Sequence, residues 1–269
     1  MGLVFLGLGA GFLAGLFGIG GGVIVVPGLF WLLQSGGYSP ASGIKVAIAT
    51  SSAVMVCTAL SSVAAHFRHN TIRWDVVQGV VPGLLAGAGI ASVGVFSTIP
   101  ADWLAILYAT FVVFSATQLL HEKVSDHADH AEGGTLPSLR GMLPVGTVIG
   151  FVSALVGAGG GFLSVPWLVR CNLPMRNVIA TSAAMGLPIA VVSTAGYLLS
   201  STGASGLSSG TVGYISLPAL AAVGLGSLIA APAGAYTAYR ISSLWLRRAF
   251  AVLLYCAAVH VLLRTFAGT

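Results

Sequence analysis

The sequence predicts an all-α integral membrane protein of two inverted repeats. Each repeat has four helical segments, a glycine-broken re-entrant hairpin followed by three transmembrane helices. Three observations carry this. Hydrophobic residues fill 57% of the 269 positions and charged residues only 6%. A glycine-rich motif in the first half returns in the second. The cations show a bias toward one membrane face only if both motifs turn the chain back on itself.

Composition identifies the solvent. A soluble domain carries about 25% charged residues, so this chain cannot cover a water-facing surface. Its long apolar runs exclude a transmembrane β-barrel, whose strands alternate over about ten residues. The excess of 11 Lys+Arg over 6 Asp+Glu would suggest nucleic acid in a soluble protein. Here most cations sit in short loops and read as orientation signals, so nucleic acid is not an expected partner. Cys57, Cys171 and Cys256 lack CxxC spacing and read as small apolar residues. Residues 1–17 run straight into the glycine motif without a small-x-small site, so no removable signal peptide is expected.

The first segment, 2–34, would reach about 50 Å as one helix, against a hydrocarbon core of about 30 Å. Its middle reads Gly18-Ile19-Gly20-Gly21-Gly22-Val23-Ile24-Val25-Val26-Pro27. A helix broken inside lipid exposes N–H and C=O groups that lipid cannot satisfy. The glycines are its natural bend, and Pro27 weakens the following helix by removing a donor. Apolar segments of spanning length follow at 44–66, 76–98 and 102–120. The linker 121–140 then holds four of the six acidic residues and three of the six histidines. With neither HExxH nor zinc-type spacing, His121, His127 and His130 read as part of a solvated cytoplasmic loop, and no metal site is assigned.

The second half opens at 141–169 with Gly157-Ala158-Gly159-Gly160-Gly161-Phe162-Leu163-Ser164-Val165-Pro166, 139 positions after the first motif. Windows 15–29 and 154–168 agree at eight of fifteen positions. Lys45 to Ser52 matches Arg176 to Ala183 at an offset of 131, Pro82 and Pro218 take similar places, and Leu104–Phe111 resembles Leu246–Leu253. The remaining spans are 176–199, 212–235 and 245–264. This is internal duplication, with repeats at 1–120 and 141–269 around the linker.

Charge chooses the topology. If both broken segments crossed the membrane, the cations would divide five against six and orient nothing. With two hairpins, Lys45 and Arg264 share one side and the other nine cations share the opposite one. Three true spans per half then invert the repeats. Both termini and residues 200–213 fall outside the cytoplasm, and 121–140 inside it.

Two broken helices at matching places in two halves mark a transporter's binding site. Consecutive N–H groups at a half-helix start suit an anion, which nominates Gly18, Gly20, Gly21, Gly22, Gly157, Gly159, Gly160 and Gly161, with Pro27 and Pro166. Close helix packing is the other reading of the same glycines. Nucleotide motifs fail: Val23 and Phe162 stand where the dinucleotide fingerprint needs a small residue, and no GxxxxGK[ST] occurs. Lys45 and Arg176 would sit one at each mouth of an anion route, or anchor to headgroups. Thr50, Ser51, Thr181 and Ser182 can donate to an oxyanion or bond between helices. Asn177 adds a donor. No Asp or Glu occurs in 1–74 or 133–269, which points away from carboxylate-coupled cation transport and toward an anion. There is no hydrolytic triad, so no enzyme is expected.

The doubled GxGGGxxxxP, the Ala-Thr-Ser tract opening the next helix (Ala49-Thr50-Ser51, Ala180-Thr181-Ser182) and the glycine-rich later segments resemble the sulfite exporter TauE/SafE family over nearly the whole chain. The resemblance implies a multi-pass carrier in the bacterial-type inner membrane for sulfite or organosulfonates, with no cofactor. The family's glycine motifs carry over onto the eight glycines named above. The function expected is alternating-access transport of a small sulfur oxyanion. An anion channel and a non-transport scaffold remain as alternatives, and homodimerisation is left open.

Overall fold

The structure is a computed structural model describing residues 2–17, 21–67, 71–121, 138–200, 210–238 and 243–266. It is helical almost throughout. In the first half, α1 is Gly2–Phe17, α2 Gly22–Ser35, α3 Pro40–Phe67, α4 Trp74–Gly89 continued by a π-helical turn Ile90–Val95, and α5 Ala101–His121. In the second, α6 is Leu139–Val156, α7 Gly161–Arg170, α8 Met175–Leu199, α9 Leu217–Ala238 and α10 Ser243–Phe266. Five described helices are long and apolar enough to cross a bilayer: α3, α4, α5, α8 and α9.

Both glycine motifs interrupt their helices. Gly21, the N-cap of α2, has φ 73 and ψ −16, and Gly160, the N-cap of α7, has φ 71 and ψ −15. A side chain in this left-handed region costs about 1–2 kcal/mol, which is why glycine occupies both corners. The carbonyls of these two residues restart the helices in the same way. Gly21 O accepts from Ile24 and Val25 N–H, and Gly160 O from Leu163 and Ser164 N–H.

Contacts fix the helix directions. Gly2 lies against Leu32, Gly28 against Leu6, and Gly21 against Ala10 and Ala14, so α2 runs back along α1. Gly7 meets Val223 and Gly11 meets Ser227, so α1 and α9 run parallel. Thr50 bonds Ser216 while Gly224 faces Cys57, so α3 begins on the same face as α9. On the other side, Gly83 meets Leu143 and Gly87 meets Thr147, so α4 and α6 run parallel. Arg73 bonds Thr181 and Gly196 faces Ser92, which starts α8 on that same face.

Glycine makes the tightest seams. Gly83 and Gly87 of α4 press on α6, where Gly146 and Gly150 reciprocate, and Gly7 and Gly11 of α1 press on Val223 and Ser227 of α9. Helices gain no hydrophobic drive from association in lipid, so backbone approach and dispersion hold them together. Ser227 Oγ adds a bond to the Gly7 carbonyl at 3.0 Å. The helix ahead of each glycine break is thus packed on the second long helix of the opposite half. Exposed Trp31 and Trp103 lie toward one end of the bundle and exposed Trp74 toward the other, where interfacial indoles belong.

Two expectations need correction. The span expected at 212–235 begins at Leu217, because Thr211–Val212 and Ile215–Ser216 pair as a short antiparallel hairpin, with left-handed Gly210 ahead of it and left-handed Gly213 in its turn. Pro218 consequently stands in the first turn of α9, a favoured proline position, whereas Pro82 lies inside α4. The two prolines do not take equivalent places. Pro27 and Pro166 lie within α2 and α7, which continue past them.

Candidate functional site

The two glycine breaks meet inside the bundle. A Cβ built on Gly22 would strike the Gly157 carbonyl and lie 2.6 Å from Met55 Sδ and 3.2 Å from Ala158 Cα. Ser51 bridges the two tips, its hydroxyl directed at Gly157 O at 3.1 Å and Gly22 O at 3.3 Å. Gly157 lies on Ile48, and Gly186 of α8 faces the Gly159 carbonyl. Gly21, Gly22, Gly157, Gly159, Gly160 and Gly161 are all buried here. Gly18 and Gly20 lie outside the described residues.

Two tyrosines that sequence reasoning passed over brace the site. Pro27 offers no N–H to the carbonyl of Val23 four residues earlier. Tyr108 Oη of α5 donates to that carbonyl at 2.6 Å. In the second half, Tyr197 Oη donates to Ala154 O near the end of α6. Both rings are fully buried. Phe96 tilts against Tyr197 with centroids 4.4 Å apart. A proline four residues after a carbonyl that needs a donor was a usable signal for Tyr108; its distant partner was not.

The paired threonines have matching partners. Thr50 Oγ1 accepts the Ser216 N–H at 3.0 Å, just ahead of α9. Thr181 Oγ1 accepts the Arg73 N–H at 3.1 Å, just ahead of α4. Each hydroxyl thus caps the start of a helix in the opposite half, the helix-bonding reading of these residues. Valine at Thr50 leaves a buried N–H without its acceptor, at a cost of about 1–3 kcal/mol. Thermal unfolding in detergent should show Thr50→Val melting below wild type, and Thr181→Val falling less because its bond is only part-buried. Two unchanged midpoints would contradict these caps.

Ser182 pairs with Ser164 at 2.7 Å, both buried. Lys45 is half-buried and donates to the Ser97 carbonyl at 3.1 Å, beyond the π-helical turn. Arg176 and Asn177 lie in the first turn of α8, at the face opposite Lys45; the Arg176 side chain is outside the described residues. The cations and Asn177 are therefore not part of the tip cluster. Asp75 is held by a two-pronged Arg73 fork, Nε to Oδ1 at 2.9 Å and Nη2 to Oδ2 at 2.7 Å. The hydrogen bond to Asp75 raises the Arg73 pKa further. Burial pushes the Cys171 thiol up, so it is not poised as a nucleophile. Among the described residues no group of three His, Cys, Asp or Glu could hold a metal.

An all-helical, membrane-embedded bundle with two broken helices meeting at its centre defines a polytopic membrane transporter. A family model described as sulfite exporter TauE/SafE matches residues 3–261, and the chain belongs to that family. It is 28% identical to a Haemophilus influenzae protein named a probable membrane transporter protein, over 97% of both chains. A Methanocaldococcus jannaschii protein of the same designation is 27% identical over 80% of this chain and 78% of its own. One from Xylella fastidiosa is 26% identical over 99% and 97% respectively. No solved structure matches the chain.

Proposed function

We propose that the protein carries a small sulfur oxyanion, sulfite or an organosulfonate, across the inner membrane by alternating access. The observation that supports this most is the meeting of the two helix breaks at Ser51. Orphan N–H groups at two half-helix starts provide fixed partial positive charge there without a mobile cation. The dearth of carboxylates in the apolar segments and the pairing of Asp75 with Arg73 suit an anion.

In this reading 1–120 and 141–269 are inverted repeats, and each broken pair is a re-entrant hairpin. The opposed helix directions and the nine-to-two division of cations support it. The moving bodies then differ from the sequence halves. Hairpin α1–α2 travels with α9, and α6–α7 with α4, because glycine seams join those elements. Sliding concentrates where Gly22 meets Gly157 and Ser51 bonds both carbonyls.

Purified protein in liposomes, offered sulfite, other sulfur oxyanions and sulfonates under imposed pH gradients, tests the proposal. Saturable sulfite or sulfonate flux is the expected result. Flux no greater than in protein-free liposomes for every anion would sink it, and large single-channel currents would replace the carrier with a pore.

A further inference from the structure

Helical serines and threonines in this protein commonly turn back onto the carbonyl four residues earlier. Ser52 does so onto Ile48, Ser92 onto Ala88, Ser115 onto Phe111 and Thr147 onto Leu143. Ser153, in the last turn of α6, is different. It is 1% exposed, and its hydroxyl has no hydrogen-bond partner among the described residues. A buried hydroxyl in that condition costs stability and calls for an explanation.

Its direction supplies one. Ser153 Oγ faces Gly160, lying 3.4 Å from a Cβ built there. Gly160 is the N-cap of α7 and contributes no side-chain cap. The N–H groups of Leu163 and Ser164 return to the Gly160 carbonyl at 3.0 and 2.8 Å. Those of Gly161 and Phe162, at the very start of the helix, have no acceptor within it. A buried donor thus lies beside the N-cap at the positive end of a half-helix, and both suit the same negative ligand.

The first half lacks this hydroxyl. Ala14 stands 139 positions before Ser153, and its Cβ lies 3.0 Å from one built on Gly21. The two corners share their backbone angles, but only the second has a hydroxyl beside it, next to Ile189 and Ile149 where the first has Ala10.

We propose that Ser153 is a substrate-binding residue, and that the second tip is the one that takes the anion. One oxygen of a sulfite or sulfonate group accepts from Ser153 Oγ, and another from the N–H groups opening α7. The assignment rests on the carrier reading above and deepens it. Sulfite and sulfonates share three oxygens on one sulfur, so both fit the same donors.

The test is thermal unfolding of the full chain in detergent at pH 8, with and without sodium sulfite, paired with liposome flux. Without sulfite, Ser153→Ala should melt no lower than wild type, since it removes an unpaired buried hydroxyl. With sulfite, it should lose most of the rise seen in wild type. Its half-saturating sulfite concentration should increase about tenfold, the scale of one hydrogen bond to a charged ligand. A sulfite-induced rise or half-saturation equal to wild type overturns the Ser153 assignment while the carrier stands. Wild-type protein showing neither stabilisation nor flux with sulfite or methanesulfonate overturns the carrier reading and this one with it. If Ser153→Ala does not fold, the near-isosteric Ser153→Cys, a weak donor, decides by the same comparison.

Discussion

Alanine at Gly22 is expected to abolish anion flux and to lower the melting temperature by several degrees. The added Cβ meets the Gly157 carbonyl, and Met55 Sδ stands 2.6 Å away. Met55 can swing aside, but the carbonyl belongs to the backbone of the opposite tip, and Ser51 ties it to the Gly22 carbonyl. The tips must separate. Overpacking of this kind costs about 1–3 kcal/mol and occasionally more, and each kcal/mol moves the midpoint of a chain near this size by about 2–4 °C. Flux suffers more than stability, because the displaced groups are those proposed to surround the anion. Gly9→Ala is the control, since a Cβ there meets nothing within 4 Å. Near-native flux and melting for Gly22→Ala would show that the tips do not touch as described.

Alanine at Gly87 should act differently, by preventing stable folding. Its Cβ would strike the Thr147 carbonyl, with Phe151 N at 2.8 Å. Both obstacles are helix backbone, so relief requires α4 and α6 to part. The seam has little slack, because Gly83, Gly146 and Gly150 are in equally close backbone contact along it. In lipid no hydrophobic force draws the two helices back together once that fit is lost. A monodisperse detergent-solubilised peak should be strongly reduced for Gly87→Ala and retained for Gly94→Ala, where a Cβ meets nothing within 4 Å. Equal recovery of the two variants would refute the seam.

The contrast between these glycines shows how far sequence reading reached. Gly21 and Gly160 were legible as corners because a glycine run inside an overlong apolar segment leaves few alternatives. Gly83, Gly87, Gly146 and Gly150 were not singled out among the 37 glycines. Hydrophobic periodicity does not separate a lipid-facing position from a buried one when both surroundings are apolar. Thr50 and Ser51 were legible as polar groups inside the membrane, yet their use was not. A hydroxyl suited to an anion suits a backbone carbonyl or N–H equally well, and Thr50's partner is 166 positions away.

Sequence alone determined the solvent, the helical segments and the two breaks. Those properties belong to single residues or short windows acting against a bilayer of known thickness. Only the tertiary structure decided that Gly22 meets Gly157, that Thr50 and Thr181 cap helices of the opposite half, and that Ser153 keeps a buried hydroxyl unpaired beside Gly160. Each of these depends on which surfaces come together across the chain, and close packing with hydrogen-bond saturation resolves that only once the whole bundle has assembled.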